Sequence, residues 1–357
     1  MTVPVRPALA GLPRYVPGKA AGTGAASYKL SSNENPYPPL PGVLAATAQA
    51  CAQMNRYPDM ANTAITEAVA TRLSVDQSQL AFGAGSVAVL YALLQAVCEP
   101  GDEVIFAWRS FEAYPIAVQL TGATPVPVPL GPGAVHDLGA MRSAVSKATR
   151  AILLCTPNNP TGPALAHDVV IDFLDWVPDD VLVVIDEAYV EFITDPSAVR
   201  GLEMLRDRLN VAVLRTFSKA YGLAGFRIGY GIAEPDLAGA VRAASLPFGV
   251  SRVAQAAAIA SLAAEEELMA RVAELVKARE ALAQGLTDLG FRVPDAQGNF
   301  VWLPAGPRTG SYAEAFRAGG LAVRPYVAGD PGDGIRITVG EPPANDQVLT
   351  IADTLPR

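Results

Sequence analysis

Thr216-Phe217-Ser218-Lys219-Ala220-Tyr221-Gly222-Leu223-Ala224-Gly225-Phe226-Arg227 sets one lysine among small hydroxyl and glycine residues, with an arginine eight residues after it. Glycine permits close backbone approach, and an apolar bed lowers the pKa of an amine; a lysine that must form a Schiff base needs both. The hydroxyls and the arginine suit an anion such as a phosphate. Taken alone, the run also fits an ordinary surface loop, and three segments upstream decide between the readings.

Gly83-Ala84-Gly85-Ser86 stands between a short strand and a helix, where backbone N–H groups, with Ser86 as cap, form an anion site or simply a glycine turn. Thr156-Pro157-Asn158-Asn159-Pro160-Thr161-Gly162 follows a buried strand and holds two amides between prolines. Ligands of open α/β sheets bind at the carboxyl ends of strands, which favours function over a structural turn. Asp186-Glu187-Ala188-Tyr189 also follows a buried strand; a carboxylate there implies a cationic partner, unless Asp186 is an N-cap. A nucleotide or magnesium reading of this pair lacks the GK[ST] loop it requires.

Around these motifs, strands and helices alternate. Helical spacing is expected over residues 43–54, 63–73, 86–98, 114–120 and 165–176, with strands at 79–82, 104–106, 124–128, 151–155, 181–185 and 211–215. Continuous apolar strands are those of parallel sheets covered on both faces. The fold class expected is α/β: a large doubly wound, mostly parallel sheet domain with a smaller α+β domain. The second domain begins near residue 256 with an unbroken helical region over 256–289, then strands at 299–303, 321–324 and 334–339. Residues 1–41, rich in Pro and Gly, form an arm packing with the small domain, and 42–255 form the large one.

Of the 357 residues, half are hydrophobic, ample for such a core, and the net charge of −8 opposes nucleic-acid and membrane-surface binding. Cys51, Cys98 and Cys155 are scattered and His136 and His167 stand apart, so no metal is expected. No signal peptide or membrane span is read, and a cytoplasmic location follows.

In this order the motifs resemble fold-type I pyridoxal-phosphate aminotransferases, within them the class II group of histidinol-phosphate and aromatic amino-acid aminotransferases. Residues 216–225 match that group's lysine motif, and Ser32-Asn33-Glu34-Asn35-Pro36 and Gly334-Ile335-Arg336-Ile337 fit near the two ends. The resemblance spans essentially the whole chain and implies pyridoxal 5'-phosphate as cofactor. It makes Lys219 the Schiff-base lysine and proton shuttle, and Asp186 the partner of the pyridine nitrogen. Asn159 and Tyr189 bond the phenolate oxygen. Gly85, Ser86, Thr216, Ser218 and Arg227 hold the phosphate, and Phe111, or failing it Trp108, stacks on the ring. Tyr57 reaches a neighbouring subunit's phosphate, implying a homodimer. Arg336 clamps the substrate α-carboxylate, with Asn35 nearby.

Departures from the histidinol-phosphate pattern bear on the substrate. Gly85-Ser86 continues as Val87-Ala88 rather than Asp-Glu, and Phe248 stands where that branch often has tyrosine. Arg14-Tyr15-Val16-Pro17-Gly18-Lys19 and Arg109 to Pro115 look like the actinobacterial aromatic enzymes. The expectation is transfer from an aromatic L-amino acid to 2-oxoglutarate, with Phe248 and Phe111 lining an apolar pocket. Histidinol phosphate is the alternative, since Tyr15 and Arg324 could meet a phosphate. A threonine-phosphate decarboxylase and a cofactor-sensing regulator follow behind.

Overall fold

The computed structural model describes residues 3–6, 9, 11–12, 15, 18, 27–329 and 332–357. Much of the arm expected over 1–41, including Arg14, Val16, Pro17 and Lys19, lies outside the described residues.

The large sheet has seven strands in the order β2-β8-β7-β6-β5-β3-β4. They are β2 (Leu80–Gly83), β3 (Glu103–Trp108), β4 (Thr124–Pro129), β5 (Thr149–Cys155), β6 (Leu182–Asp186), β7 (Val211–Thr216) and β8 (Gly229–Ile232). A two-residue strand, β1 (Tyr28–Lys29), precedes them. β8 runs antiparallel to both neighbours and the other adjacent pairs are parallel. Side chains alternate across this sheet. Ile152, Leu154, Val183 and Ile185 face one apolar cluster, and Ala151, Leu153, Leu182 and Val184 face another.

Helices cover both faces. Val89, Leu93 and Leu94 of α3 (Ser86–Val97), with Tyr114 and Val118 of α4 (Ala113–Thr121), close one side; α1 (Pro41–Cys51) and α2 (Thr63–Leu73) lie on the other. α5 (Leu138–Ser143), α6 (His167–Leu174), α7 (Gly201–Arg206) and α9 (Arg252–Ala263) complete this layer, whereas α8 (Pro235–Ala244) packs with α3 through Ala238 and Val241. Continuous apolar runs with both faces buried are what parallel strands require, and β5 and β6 meet that requirement along almost their whole length.

The helical region over 256–289 is two helices: α9 ends at Ala263 and α10 (Glu265–Asp288) begins after Ala264, whose φ of −108° and ψ of 24° break the helical path. No glycine or proline marks the break, so periodicity alone could not locate it. A third apolar cluster gathers around β9 (Phe300–Pro304), α11 (Thr309–Ala318), β12 (Gly334–Thr338) and α12 (Pro342–Asp353). The strand expected over 321–324 is likewise two, β10 (Leu321–Ala322) and β11 (Arg324–Tyr326). β10 pairs in parallel with β1, and β11-β12-β9 form an antiparallel sheet. Leu30 belongs to this cluster, so the chain's beginning packs against its end.

Candidate active site

The carboxyl ends of β2, β3, β5, β6 and β7 open on a cleft of about 500 Å³ closed on its far side by β11 and β12. Lys219 lies just beyond β7. Its Nζ donates to the carbonyl oxygens of Ser32 at 3.1 Å and Asn33 at 3.2 Å. Burial first, then the positive charge of Arg336, brings its pKa from 10.5 down to about 7, against a pull upward from Glu34. Much of the amine is therefore neutral at physiological pH.

Asp186 ends β6 and lines the same cleft, 6% exposed. Tyr114 donates its hydroxyl to Oδ2 at 2.8 Å, whereas Oδ1 is buried without a partner. Burial raises this carboxyl to about pKa 6, with the Tyr114 hydroxyl and the Ala188 N–H opposing. Tyr189, also buried, accepts a hydrogen bond from Asn33 Nδ2 at 2.9 Å, and burial pushes its phenol upward.

At one end of the cleft Gly85, Ser86, Thr216, Ser218 and Arg227 come together. Gly85 has φ +86°, and a Cβ there would lie 2.6 Å from Arg227 Nη2; at Gly229 one would lie 2.3 Å from the Ser86 nitrogen. Only glycine admits this approach of strand, helix start and guanidinium. Thr216 Oγ1 donates to Ser218 Oγ at 3.0 Å and accepts the Ser218 N–H at 3.1 Å. The expectation that Ser86 caps the helix is corrected: Gly85 is the N-cap and Ser86 the first helical residue. The hydroxyl is not engaged as a cap and lines the cleft at the start of the helix, where N–H groups favour an anion.

Arg336 on β12 forms the opposite wall. It donates to Asn159 Oδ1 at 2.5 Å and to the Ser31 carbonyl at 2.7 Å, and its Nε is buried without a partner. Among the described residues no carboxylate pairs with it. Arg324 on β11 also lines the cleft, but it is ion-paired with Glu112 at 2.6 Å. Phe111 borders the cleft and meets Tyr114 edge-on, ring centroids 5.6 Å apart, and Tyr15 lines the mouth, 54% exposed.

Two residues expected here, Asn35 and Phe248, do not line the cleft, and Tyr57, expected at a neighbouring subunit's site, lies on the surface. Asn35 uses both ends of its amide on backbone, donating to the Ala220 carbonyl at 3.1 Å and accepting the Tyr37 N–H at 3.0 Å. It braces the lysine loop and does not border the cleft. Tyr57 and Phe248 stack on each other, centroids 4.7 Å apart, on the surface outside this chain's cleft. The apolar pocket expected between Phe248 and Phe111 is therefore absent within one chain. Conversely, Ser32, Asn33, Tyr114 and Glu112 contact the expected residues and were not singled out by sequence reasoning. The first two lie inside Ser32-Asn33-Glu34-Asn35-Pro36 and the other two inside the Arg109 to Pro115 segment, the signals that pointed to them.

Residues 27–351 match the family described as aminotransferase class I and II. A Streptomyces avermitilis protein named aromatic amino acid aminotransferase is 54% identical over 350 residues, 98% of this chain and 96% of its own length. One of the same name from Thermobifida fusca is 51% identical over 354 residues, 99% of this chain and 97% of its own. Among solved structures, the histidinol-phosphate aminotransferase of Sinorhizobium meliloti in complex with pyridoxal-5'-phosphate superposes with a TM-score of 0.84. It is 31% identical, covering 92% of this chain and 90% of its own. By its motifs, its sheet and this match over nearly its full length, the chain belongs to the aminotransferase class I and II family.

Proposed function

We propose that this protein moves the amino group of an aromatic L-amino acid to a 2-oxo acid, 2-oxoglutarate being the acceptor, with pyridoxal 5'-phosphate as cofactor. The observation that carries this reading is one cleft holding a lysine of lowered pKa, an unpartnered buried carboxylate oxygen and an arginine without a carboxylate partner. The residues fit the cofactor. Asp186 Oδ1 would hold its ring nitrogen, the Gly85–Ser86 turn with Thr216, Ser218 and Arg227 its phosphate, Asn159 and Tyr189 its phenolate oxygen, and Phe111 its ring face.

When bound, the cofactor supplies an electron-withdrawing ring that delocalises the charge left on the substrate Cα. Arg336 holds the substrate α-carboxylate by its planar fork, which fixes the orientation of the Cα–H bond. Lys219 Nζ, about half neutral near pH 7, takes the Cα proton as general base and returns a proton as general acid. Asp186, kept anionic by a cationic partner, preserves the charge that makes proton removal favourable.

The aromatic side chain is favoured because Arg324, the cation positioned to meet a substrate phosphate, is compensated by Glu112. The relatives named aromatic amino acid aminotransferase support the same assignment. A homodimer is part of this reading: Met54, Tyr57, Met60, Leu246 and Phe248 expose large apolar side chains, suited to a second copy with Tyr57 directed to its phosphate. The separate apolar cluster of the C-terminal part supports the division into an arm, a large domain over 42–255 and a small domain over 256–357. Among the described residues no helix is long and apolar enough to cross a membrane, and we place the enzyme in the cytoplasm.

Holoenzyme mixed separately with phenylalanine and with histidinol phosphate tests the reading by the change in cofactor absorbance. A much faster change with phenylalanine is expected. Faster change with histidinol phosphate assigns the chain to that substrate, and none with either points to decarboxylation.

A further inference from the structure

Arg324 and Arg336 are directly opposite residues of the antiparallel pair β11–β12. Opposite residues project from the same face of a sheet, so two guanidinium groups enter the cleft side by side. Their electrostatic situations differ. Arg336 is bonded to an amide and a carbonyl, which leave its charge intact. Arg324 is matched by Glu112 at 2.6 Å, with side-chain exposures of 10% and 29%.

Glu112 occupies the N-cap position of α4, where an acidic side chain ordinarily turns back to bond the first N–H groups. It makes no such bond and reaches across the cleft to a strand 212 residues away. The Tyr326 ring centroid lies 5.7 Å from the Arg324 guanidinium carbon, and the Phe111 ring lines the same cleft.

We propose that Glu112 is a specificity-determining residue: by occupying Arg324 it makes the distal end of the cleft net neutral, favouring an uncharged aromatic side chain. A substrate bearing a second anion, carboxylate or phosphate, has to displace the Glu112 carboxylate before Arg324 can receive it. This rests on the reading of Arg336 as the α-carboxylate site. Discrimination between amino acids with and without an anionic side chain then comes from competition inside the protein, since the attractive cation is present in either case. An acidic co-substrate binds by the same displacement, at reduced affinity.

The test uses holoenzyme and two unreactive ligands that lack an amino group, 3-phenylpropionate with one carboxylate and glutarate with two. Their dissociation constants are measured by calorimetry, and the ratio between them is the reading. Glu112→Gln should shift the ratio at least tenfold toward glutarate, equivalent to about 1.4 kcal/mol. Arg324→Gln alone, which leaves Glu112 unpaired, should shift it the other way, so the proposal stays testable if the first variant does not fold. In the double variant the gain should disappear. A ratio that moves less than threefold in Glu112→Gln, or a gain that survives Arg324→Gln, overturns the proposal. Failure of the wild type to convert phenylalanine at all would instead overturn the function on which it rests.

Discussion

Asp186→Asn should make the cofactor-free protein more stable while disabling it. The wild-type carboxyl is buried and its pKa is about 6, against an ordinary value of 3.8. Between those values the folded protein holds a proton that the unfolded chain has released. The favourable contribution of the neutral acid is fully present below the ordinary value and is lost as pH rises through about 6. At about 1.4 kcal/mol per pH unit, the gap costs the folded state about 3 kcal/mol at pH 8, and about 1 kcal/mol at pH 4.5. Asparagine cannot ionise, and it retains an oxygen to accept the Tyr114 hydroxyl. With an unfolding entropy of about 2 cal/mol/K per residue, 3 kcal/mol corresponds to a rise in Tm of about 4 °C. Scanning calorimetry of the cofactor-free proteins at pH 8 and pH 4.5 should show that rise at the higher pH and about a third of it at the lower. An equal rise at both pH values, or none at pH 8, would refute the argument that a buried, incompletely partnered carboxylate strains the empty fold. In the loaded proteins the order should reverse, because asparagine lacks the charge that the ring nitrogen requires.

Lys219→Ala should slow the half-reaction by at least about a hundredfold, the usual worth of a positioned general base, measured by stopped-flow absorbance with phenylalanine. In the cofactor-free wild type, Lys219 should be acylated ahead of exposed lysines, with labelling by mass spectrometry rising through about pH 7 as the amine loses its proton. Gly85→Ala places a methyl group 2.6 Å from Arg227 Nη2 at a φ of +86°, and should weaken cofactor binding at least about tenfold, by fluorescence titration, while the circular dichroism is unchanged. Arg279, 1% exposed, donates to the carbonyls of Phe192 and Gly298 and to Thr194 Oγ1. Arg279→Met leaves these acceptors unpaired and should cost about 3 kcal/mol, read as a lower Tm.

Local chemistry made the helices and the parallel strands legible. Thr63–Leu73 has its bounds where the apolar spacing puts them, and β5, β6 and β7 follow from short continuous apolar runs. β8 is not legible in this way: Gly229-Tyr230-Gly231-Ile232 is short and half glycine, and its antiparallel pairing with β2 and β7 joins segments far apart in the chain. In the site, residues inside a dense motif could be read because turn, charge and strand end coincide. Glu112 and Tyr114 act through partners 212 and 72 residues away, and no periodicity or spacing near them announces such a meeting. Phe248 was legible as an apolar residue in a telling position, but its stacking on Tyr57 is decided by packing between distant segments.

The Asn33 N–H bonds Thr338 Oγ1, and Arg336 bonds the Ser31 carbonyl, each across 305 residues. Synthesis on the ribosome proceeds from the N-terminus, and the large sheet's last strand ends at Ile232, long before Arg336 exists. Until then the carbonyls of Ser32 and Asn33 have no β12 to hold them over Lys219, and a nascent chain carries its reactive amine in an unfinished enclosure. Closing so long a loop is slow, so the enclosure is among the last parts to form. Enzyme competence is thereby tied to chain completion: a product terminated before β12 lacks Arg336 and with it one wall of its cleft.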